Sequence, residues 1–350
     1  MINFKKFKNK KIVVTGHTGF KGSWLSLIFY LHGAKVYGIS DRVYKGKSLF
    51  KILNLNTKIN STLIDITDYN QISSLINKIK PDFIIHLAAE AIVSRAFKDP
   101  INTFKTNIIG TANLLNIIRS FNHKCTCIFI TSDKCYENKE LLRSYKESDQ
   151  LGGSDPYSAS KAGAEIVISS MFRSFLKFKK NINLGTCRAG NVIGGGDWSE
   201  SRLIPDVIRS IENKKPLVIR NPKSTRPWQH VLDPINGYIT LAYNLHFQEM
   251  KNGDVFNFGP KPNSKFNVEN VLKIINKIFK VNYKIATATK IYEARLLSLN
   301  SNKAKKFLNW KCKYNTKIAI QKTLNWYLVY IKNPIQIEQY TIKQINEFFK

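Results

Sequence analysis

Tyr157 and Lys161 stand four residues apart in Tyr157-Ser158-Ala159-Ser160-Lys161, which on a helix sets a phenol and an ammonium one turn apart on one face. An unperturbed tyrosine titrates near pH ~10 and is a poor base at neutrality, whereas a neighbouring ammonium stabilises the phenolate and lowers that value. Such pairs arise by chance in many helices. This one gains force from Thr131-Ser132-Asp133-Lys134, which closes the preceding strand pattern with a hydroxyl able to bind a reacting oxygen and a carboxyl beside it.

A second set of residues points to a nucleotide. Gly16-His17-Thr18-Gly19-Phe20-Lys21-Gly22 lies between a β-branched run and a helical pattern. Gly16, Gly19 and Gly22 there let a pyrophosphate approach the backbone, and Thr18 and Phe20 fall in the same turn; the helix N-terminus supplies N–H donors and the positive end of a dipole. Asp41 closes the next strand about 20 residues on, where a carboxylate accepts from an adenosine ribose and repels a 2′-phosphate. NAD is therefore expected over NADP, against the pull of the basic Arg42, Lys45 and Lys47. Asp65 and Ile66 are expected at the adenine. Leu87-Ala88-Ala89 ends a strand with small residues and would let a cofactor pass close to backbone. Asn107, an amide in an apolar helical pattern, is grouped with the cofactor residues and needs buried partners, so it could brace the backbone there.

These residues need elements to hold them. Strand patterns at 11–15, 34–39, 62–66, 83–87, 126–131 and 182–188 alternate with helical patterns at 23–31, 69–79, 100–121 and 156–176. That alternation predicts a Rossmann-type α/β fold, a doubly wound parallel sheet with helices on both faces. After about Gly194 turn signals crowd in at Gly194-Gly195-Gly196, Asn221-Pro222, Arg226-Pro227, Asp233-Pro234 and Gly259-Pro260. The expectation is a cofactor domain over 1–193 and a smaller C-terminal α/β substrate lobe over 194–350, with segments crossing between them.

The chain has 350 residues and carries Lys+Arg 55 against Asp+Glu 24, a net +31. That balance is the electrostatic footprint of a nucleic-acid binder. The lysines, however, are scattered among Ile and Asn and no helix-turn-helix, zinc or RNA-binding motif accompanies them, so attraction to an anionic small substrate is the preferred reading and no specific nucleic acid is expected. No apolar run approaches the roughly 20 residues of a membrane span. The five cysteines have neither metal spacing nor disulfide density, so no metal is expected, and with no signal-peptide pattern at the start a cytoplasmic protein is.

Taken together, the glycine loop, His86-Leu87-Ala88-Ala89, Asn107, Ser132 and Tyr157/Lys161 resemble the extended short-chain dehydrogenases acting on nucleotide sugars. Asp133 separates the dehydratases of that family, which use an acid here to protonate a leaving hydroxyl, from its epimerases and reductases. Longer blocks resemble the CDP-glucose dehydratases: Gly16 to Trp24, Ser132-Asp133-Lys134-Cys135-Tyr136, Arg188-Ala189-Gly190-Asn191-Val192-Ile193-Gly194-Gly195-Gly196-Asp197-Trp198 and Arg226-Pro227-Trp228-Gln229-His230-Val231. Lys134 fits this group, since dTDP-glucose dehydratases carry Glu there; Glu90 departs from it, where Gln is expected.

The resemblance implies that Tyr157 removes the C4 hydroxyl proton as the C4 hydride passes to NAD, that Asp133 protonates the departing C6 hydroxyl with help from Lys134, and that the hydride returns to C6, giving a 4-keto-6-deoxy sugar nucleotide. Asn191 and Arg226 are expected on the substrate pyrophosphate, with Arg202 and His230 as further candidates and Arg95 at the border of the sugar site. A homodimer or homotetramer is expected. The alternatives are a dehydratase, epimerase or reductase for another nucleotide sugar and, more distantly, a nucleic-acid-binding protein built on this fold.

Overall fold

Ile12-Val13-Val14, Phe83-Ile84-Ile85 and Cys127-Ile128-Phe129-Ile130 are continuous apolar runs, because both faces of the sheet they form are covered. The computed structural model describes residues 2–219, 221–223, 225–248, 250–260, 266–286 and 297–350. Its main sheet has seven strands, here β1 (Lys11–Thr15), β2 (Lys35–Ser40), β3 (Asn60–Leu63), β4 (Phe83–His86), β5 (Cys125–Ile130), β6 (Ile182–Ala189) and β7 (Val255–Phe258). Their order is β7-β6-β5-β4-β1-β2-β3, all parallel. Along β1 the pleat sends Ile12 and Val14 into one core and Val13 into the other, as a period of two requires. The first core is closed by the helices Phe20–Leu31 and Leu232–Phe247, the second by Tyr69–Ile79, Gly110–Arg119 and Pro156–Ser174.

The chain winds outward from β1 to β3 and then returns to place β4 on the other side of β1. Loops leaving the carboxyl ends of β1 and β4 therefore diverge and leave a crevice, the usual ligand site of such sheets. The edge strand β7 pairs with β6 in the register Val255↔Thr186 to Phe258↔Ala189. It comes from late in the chain, as does the helix Leu232–Phe247 packed on β5 and β6. The remaining late segments make short strand pairs: Val192–Ile193 with Gln229–His230, Leu217–Ile219 with Tyr283–Ile285, and Thr225–Arg226 with Phe266–Asn267.

The C-terminal helices pin this part to the sheet. Trp326, fully buried on the helix Thr316–Lys332, lies against Gly195 so closely that a β-carbon there would fall 1.9 Å from its ring. The Gly195 carbonyl in turn accepts from Trp24 Nε1 at 3.0 Å. Gly195 is thus clamped between two tryptophans, and any side chain at that position would push the loop that follows β6 off the sheet.

Candidate active site

The cofactor cradle begins where β1 ends. Gly16 has φ +74° and donates its N–H to Ile39 O at 2.7 Å. A β-carbon on it would sit 2.8 Å from Ala88 N, and one on Gly22 would sit 2.1 Å from Gly16 O. The turn is closed down to backbone contact on both sides, which only glycine permits. Gly19 caps the following helix without a side-chain hydrogen bond, so the first N–H groups face the groove rather than a capping oxygen.

Gly16, Thr18, Gly19, Phe20 and Gly22 line this groove with Asp41, Asp65, Ile66, Leu87, Ala88 and Ala89. Arg42 binds Asp41 Oδ2 at 2.6 Å, so the basic neighbour is turned onto the strand-end carboxylate. The backbone N–H groups of Leu87 and Ala88 donate to Thr15 Oγ1 at 3.2 and 3.1 Å, which holds the two crevice walls together. His17 points away from the groove, bonded through its ring nitrogens to Ser40 Oγ at 2.9 Å and Ser61 Oγ at 2.7 Å. Burial lowers its pKa to about 4. A dinucleotide fits this donor set: tight glycine turn, open helix terminus, carboxylate at the second strand end.

Asn107 does not line the groove. Its Oδ1 accepts from Glu90 N at 2.8 Å, and its Nδ2 donates to Glu90 O at 3.1 Å and Ser160 Oγ at 2.8 Å. The amide is occupied by these bonds inside a π-helical turn, Lys105–Ile109, which makes it a brace between the cofactor wall and the Tyr157 helix and not a cofactor ligand.

That helix, Pro156–Ser174, starts firmly: Asp155 caps it by accepting from Ser158 N at 3.0 Å and Ser158 Oγ at 2.5 Å, with Pro156 in the first turn. Tyr157 thereby enters a second cleft in the company of Ser132, Asp133 and Lys134. Ser132 Oγ donates to Asp133 Oδ1 at 2.9 Å. Lys161 Nζ lies 6.0 Å from the Tyr157 ring centre.

Burial is the first cause at both groups. It pushes Tyr157 up to about 12, with Ser132 pulling the other way and the Asp133 charge adding to the rise. It brings Lys161 down to about 8, with Cys135, Glu165 and Glu90 opposing. Desolvation disfavours the charged form of each, so the two shifts run in opposite directions.

Asn191 and Arg202 line the same cleft, and Arg202 also reaches the cofactor groove. Its Nη1 donates to Asp197 Oδ2 at 3.0 Å. The backbone of Arg226 belongs to the strand Thr225–Arg226; its side chain lies outside the described residues. Arg95 stands outside the lining of both clefts, held by Glu200 Oε1 at 2.7 Å and stacked over Tyr44. His230 is not at the cleft at all. It is 0 % exposed, packed edge-on to Trp24 and Tyr314, and burial takes its pKa to about 3. It is a neutral core histidine.

Lys21 escaped the sequence reading although it stands inside the glycine loop. It borders both clefts, and burial together with the charges of Lys161 and Arg202 lowers it to about 7. The signal was a lysine placed between Phe20 and Gly22, at the start of the helix that the glycine loop opens. The second cleft is also lined by Leu217, Ile219, Asn221, Trp228 and Val268. Among the described residues no cluster of His, Cys, Asp or Glu could hold a metal ion, and no helix is long and apolar enough to cross a membrane.

The family model of GDP-mannose 4,6 dehydratase matches residues 13–323. The chain is 38% identical to the CDP-glucose 4,6-dehydratase of Salmonella typhimurium, over 95% of this chain and 94% of that protein. Its fold matches the UDP-glucose 4-epimerase of Thermotoga maritima solved with UDP-glucose, with TM-score 0.80 and 21% identity over 92% of this chain and 99% of the other. It also matches the dTDP-glucose 4,6-dehydratase of Bacillus anthracis solved with NAD, with TM-score 0.76 and 22% identity over 95% and 98% of the two chains. The chain belongs to the GDP-mannose 4,6 dehydratase family, among the extended short-chain dehydrogenases.

Proposed function

We propose that the chain is a CDP-glucose 4,6-dehydratase that binds NAD in the glycine-loop groove. The observation that carries this reading is the meeting of Tyr157, Ser132 and Asp133 in one cleft, in a chain so similar to the Salmonella enzyme. NAD held in the glycine-loop groove would supply a reversible hydride acceptor. The chain's own residues do the rest. Ser132 and Tyr157 hold the sugar C4 hydroxyl, and Tyr157 takes its proton as C4 is oxidised. The resulting ketone acidifies the C5 proton, which Lys134, at the same cleft, takes up and gives back to C5 when the hydride returns to C6 and the C5–C6 bond is saturated. Asp133 then delivers a proton to the C6 hydroxyl as it leaves. Lys161 stabilises the charge that forms on the phenol.

Asn191, Arg202 and Arg226 are the proposed pyrophosphate ligands, since guanidinium and amide donors match its oxygens. The apolar residues Leu217, Ile219, Trp228 and Val268 then receive the base. A homodimer or homotetramer is proposed on the exposed apolar residues Ile101, Ile109 and Ile166 of neighbouring helices, and a cytoplasmic setting on the five free cysteines. The deciding experiment offers CDP-glucose, dTDP-glucose, GDP-mannose and UDP-N-acetylglucosamine with NAD and follows products by NMR. A 4-keto-6-deoxy product from CDP-glucose, formed fastest of the four, supports the assignment; turnover of another nucleotide sugar instead reassigns it.

A further inference from the structure

The strand end bearing Ser132 and Asp133 and the helix bearing Tyr157 and Lys161 are separate pieces of chain, and a buried ion pair joins them. Glu165 lies one turn beyond Lys161 and is 4 % exposed; Arg188, on β6, is 3 % exposed. The guanidinium grips the carboxylate with two prongs, Nε to Oε1 at 2.8 Å and Nη2 to Oε2 at 2.9 Å. Thr131, immediately before Ser132, donates its hydroxyl to the same Glu165 Oε1 at 2.5 Å. The third arm of Arg188, Nη1, donates to Tyr136 OH at 2.7 Å, and that hydroxyl donates to Asn257 Oδ1 on β7 at 2.8 Å. The segment carrying Ser132, Asp133 and Lys134 is therefore held at both ends, Thr131 and Tyr136, by one pair.

Neither Glu165 nor Arg188 lines either cleft, so neither touches a ligand there. Nor is a pair buried this deeply needed for stability, since apolar groups of similar volume often serve as well or better. What such a pair adds is direction: fixed bonds between planar groups leave one arrangement of the parts they join. We propose that Glu165 and Arg188 are positioning residues, a buried clamp that sets Ser132 and Asp133 against Tyr157 and Lys161. The clamp matters to catalysis because displacements of about 1 Å can cost about a hundredfold in rate. The proposal rests on the dehydratase reading of the cleft.

Thr131 offers the cleanest test: it borders the cleft, but its hydroxyl is taken up by Glu165 Oε1 and, at 3.4 Å, by Cys187 O. Thr131→Val keeps the volume and leaves the ion pair intact but removes the hydroxyl through which the clamp holds Ser132; Thr131→Ser keeps the hydroxyl and loses a methyl. With CDP-glucose and NAD, Thr131→Val is expected to lose about tenfold or more in kcat, with KM and thermal midpoint close to the unmodified protein, while Thr131→Ser retains kcat. The double variant Glu165→Met/Arg188→Met, apolar throughout, is expected to fold and show a similar loss, and adding Thr131→Val to it should cost little more. A Thr131→Val protein with unchanged kcat, a loss in Thr131→Ser alone, or a folded double variant with full kcat would each overturn the proposal. If the double variant does not fold, the Val and Ser pair decides. A wrong dehydratase assignment shows separately, in the unmodified protein, and the comparison is then made on whichever nucleotide sugar that protein turns over.

Discussion

The Ser132 hydroxyl donates to Asp133 Oδ1 at 2.9 Å, and Tyr157 lines the same cleft as both. The group proposed to start the reaction and the group proposed to end it therefore share one cleft. An amide in place of the Asp133 carboxyl can still accept from Ser132 but has no proton to give. Tyr157→Phe should therefore lose about 10²–10⁴ in kcat and abolish exchange of the C5 proton with solvent deuterium. Asp133→Asn should keep that exchange and slow water loss by a comparable factor. NMR in deuterated buffer separates the two, and full dehydration by Asp133→Asn would move the acid role elsewhere.

The two lysines at the clefts make stability pH-dependent. In an unfolded chain both amines keep their protons to about pH 10.4, whereas in the folded protein Lys161 releases its proton near 8 and Lys21 near 7. Between those limits the unfolded state binds more protons, so stability rises with pH. The thermal midpoint measured without cofactor should climb from pH 7 to pH 9. Lys21→Met should melt higher at pH 7 and climb less, a difference that the general fall in net charge cannot produce. A flat or falling profile, or one unchanged by the substitution, would show that Lys21 keeps an ordinary pKa.

What could be read from sequence was local. The glycine loop, Asp41, Ser132-Asp133 and Tyr157/Lys161 sit at element ends whose type and order follow from short apolar runs and turn residues, so their convergence follows from the fold's connectivity. His230 and Arg95 failed for a different reason. Whether a polar residue faces a cleft, a partner or the core depends on what other segments bring, here Trp24 and Tyr314 for the histidine and Glu200 and Tyr44 for the arginine. Asn107 showed as a buried amide in need of partners, but its partners, Glu90 and Ser160, lie on other elements. β7 was not anticipated, because four residues far from the other strands carry no sign that they return to the sheet.

The +31 charge yields a prediction about specificity. Counterion release gives a protein of this charge weak, salt-sensitive adhesion to any polyanion. Fluorescence anisotropy with unrelated DNA and RNA oligonucleotides should show affinities that collapse between low and near-physiological salt and do not depend on sequence. Submicromolar, sequence-selective binding that persists in such salt would restore the nucleic-acid reading.

The last prediction follows the hydrogen on the sugar. Tyr157 is placed to deprotonate a hydroxyl as its carbon is oxidised, and Asp133, in the same cleft, is placed to protonate a hydroxyl leaving from the carbon two further along. A protein with only the first group would either release an oxidised sugar with a stoichiometric amount of reduced cofactor or return the hydride to C4. With both groups in one cleft the ketone is consumed where it forms, and the C6 position becomes the acceptor for the hydrogen taken from C4. CDP-glucose carrying deuterium at C4 should therefore yield a product with that deuterium at C6, with catalytic NAD sufficing and no stoichiometric rise in NADH absorbance. Mixing the labelled sugar with an unlabelled one distinguishable by mass tests whether the label stays within its own molecule, as a ketone consumed where it forms requires. Stoichiometric NADH would point to a dehydrogenase, and deuterium kept at C4 of an epimerised sugar to an epimerase.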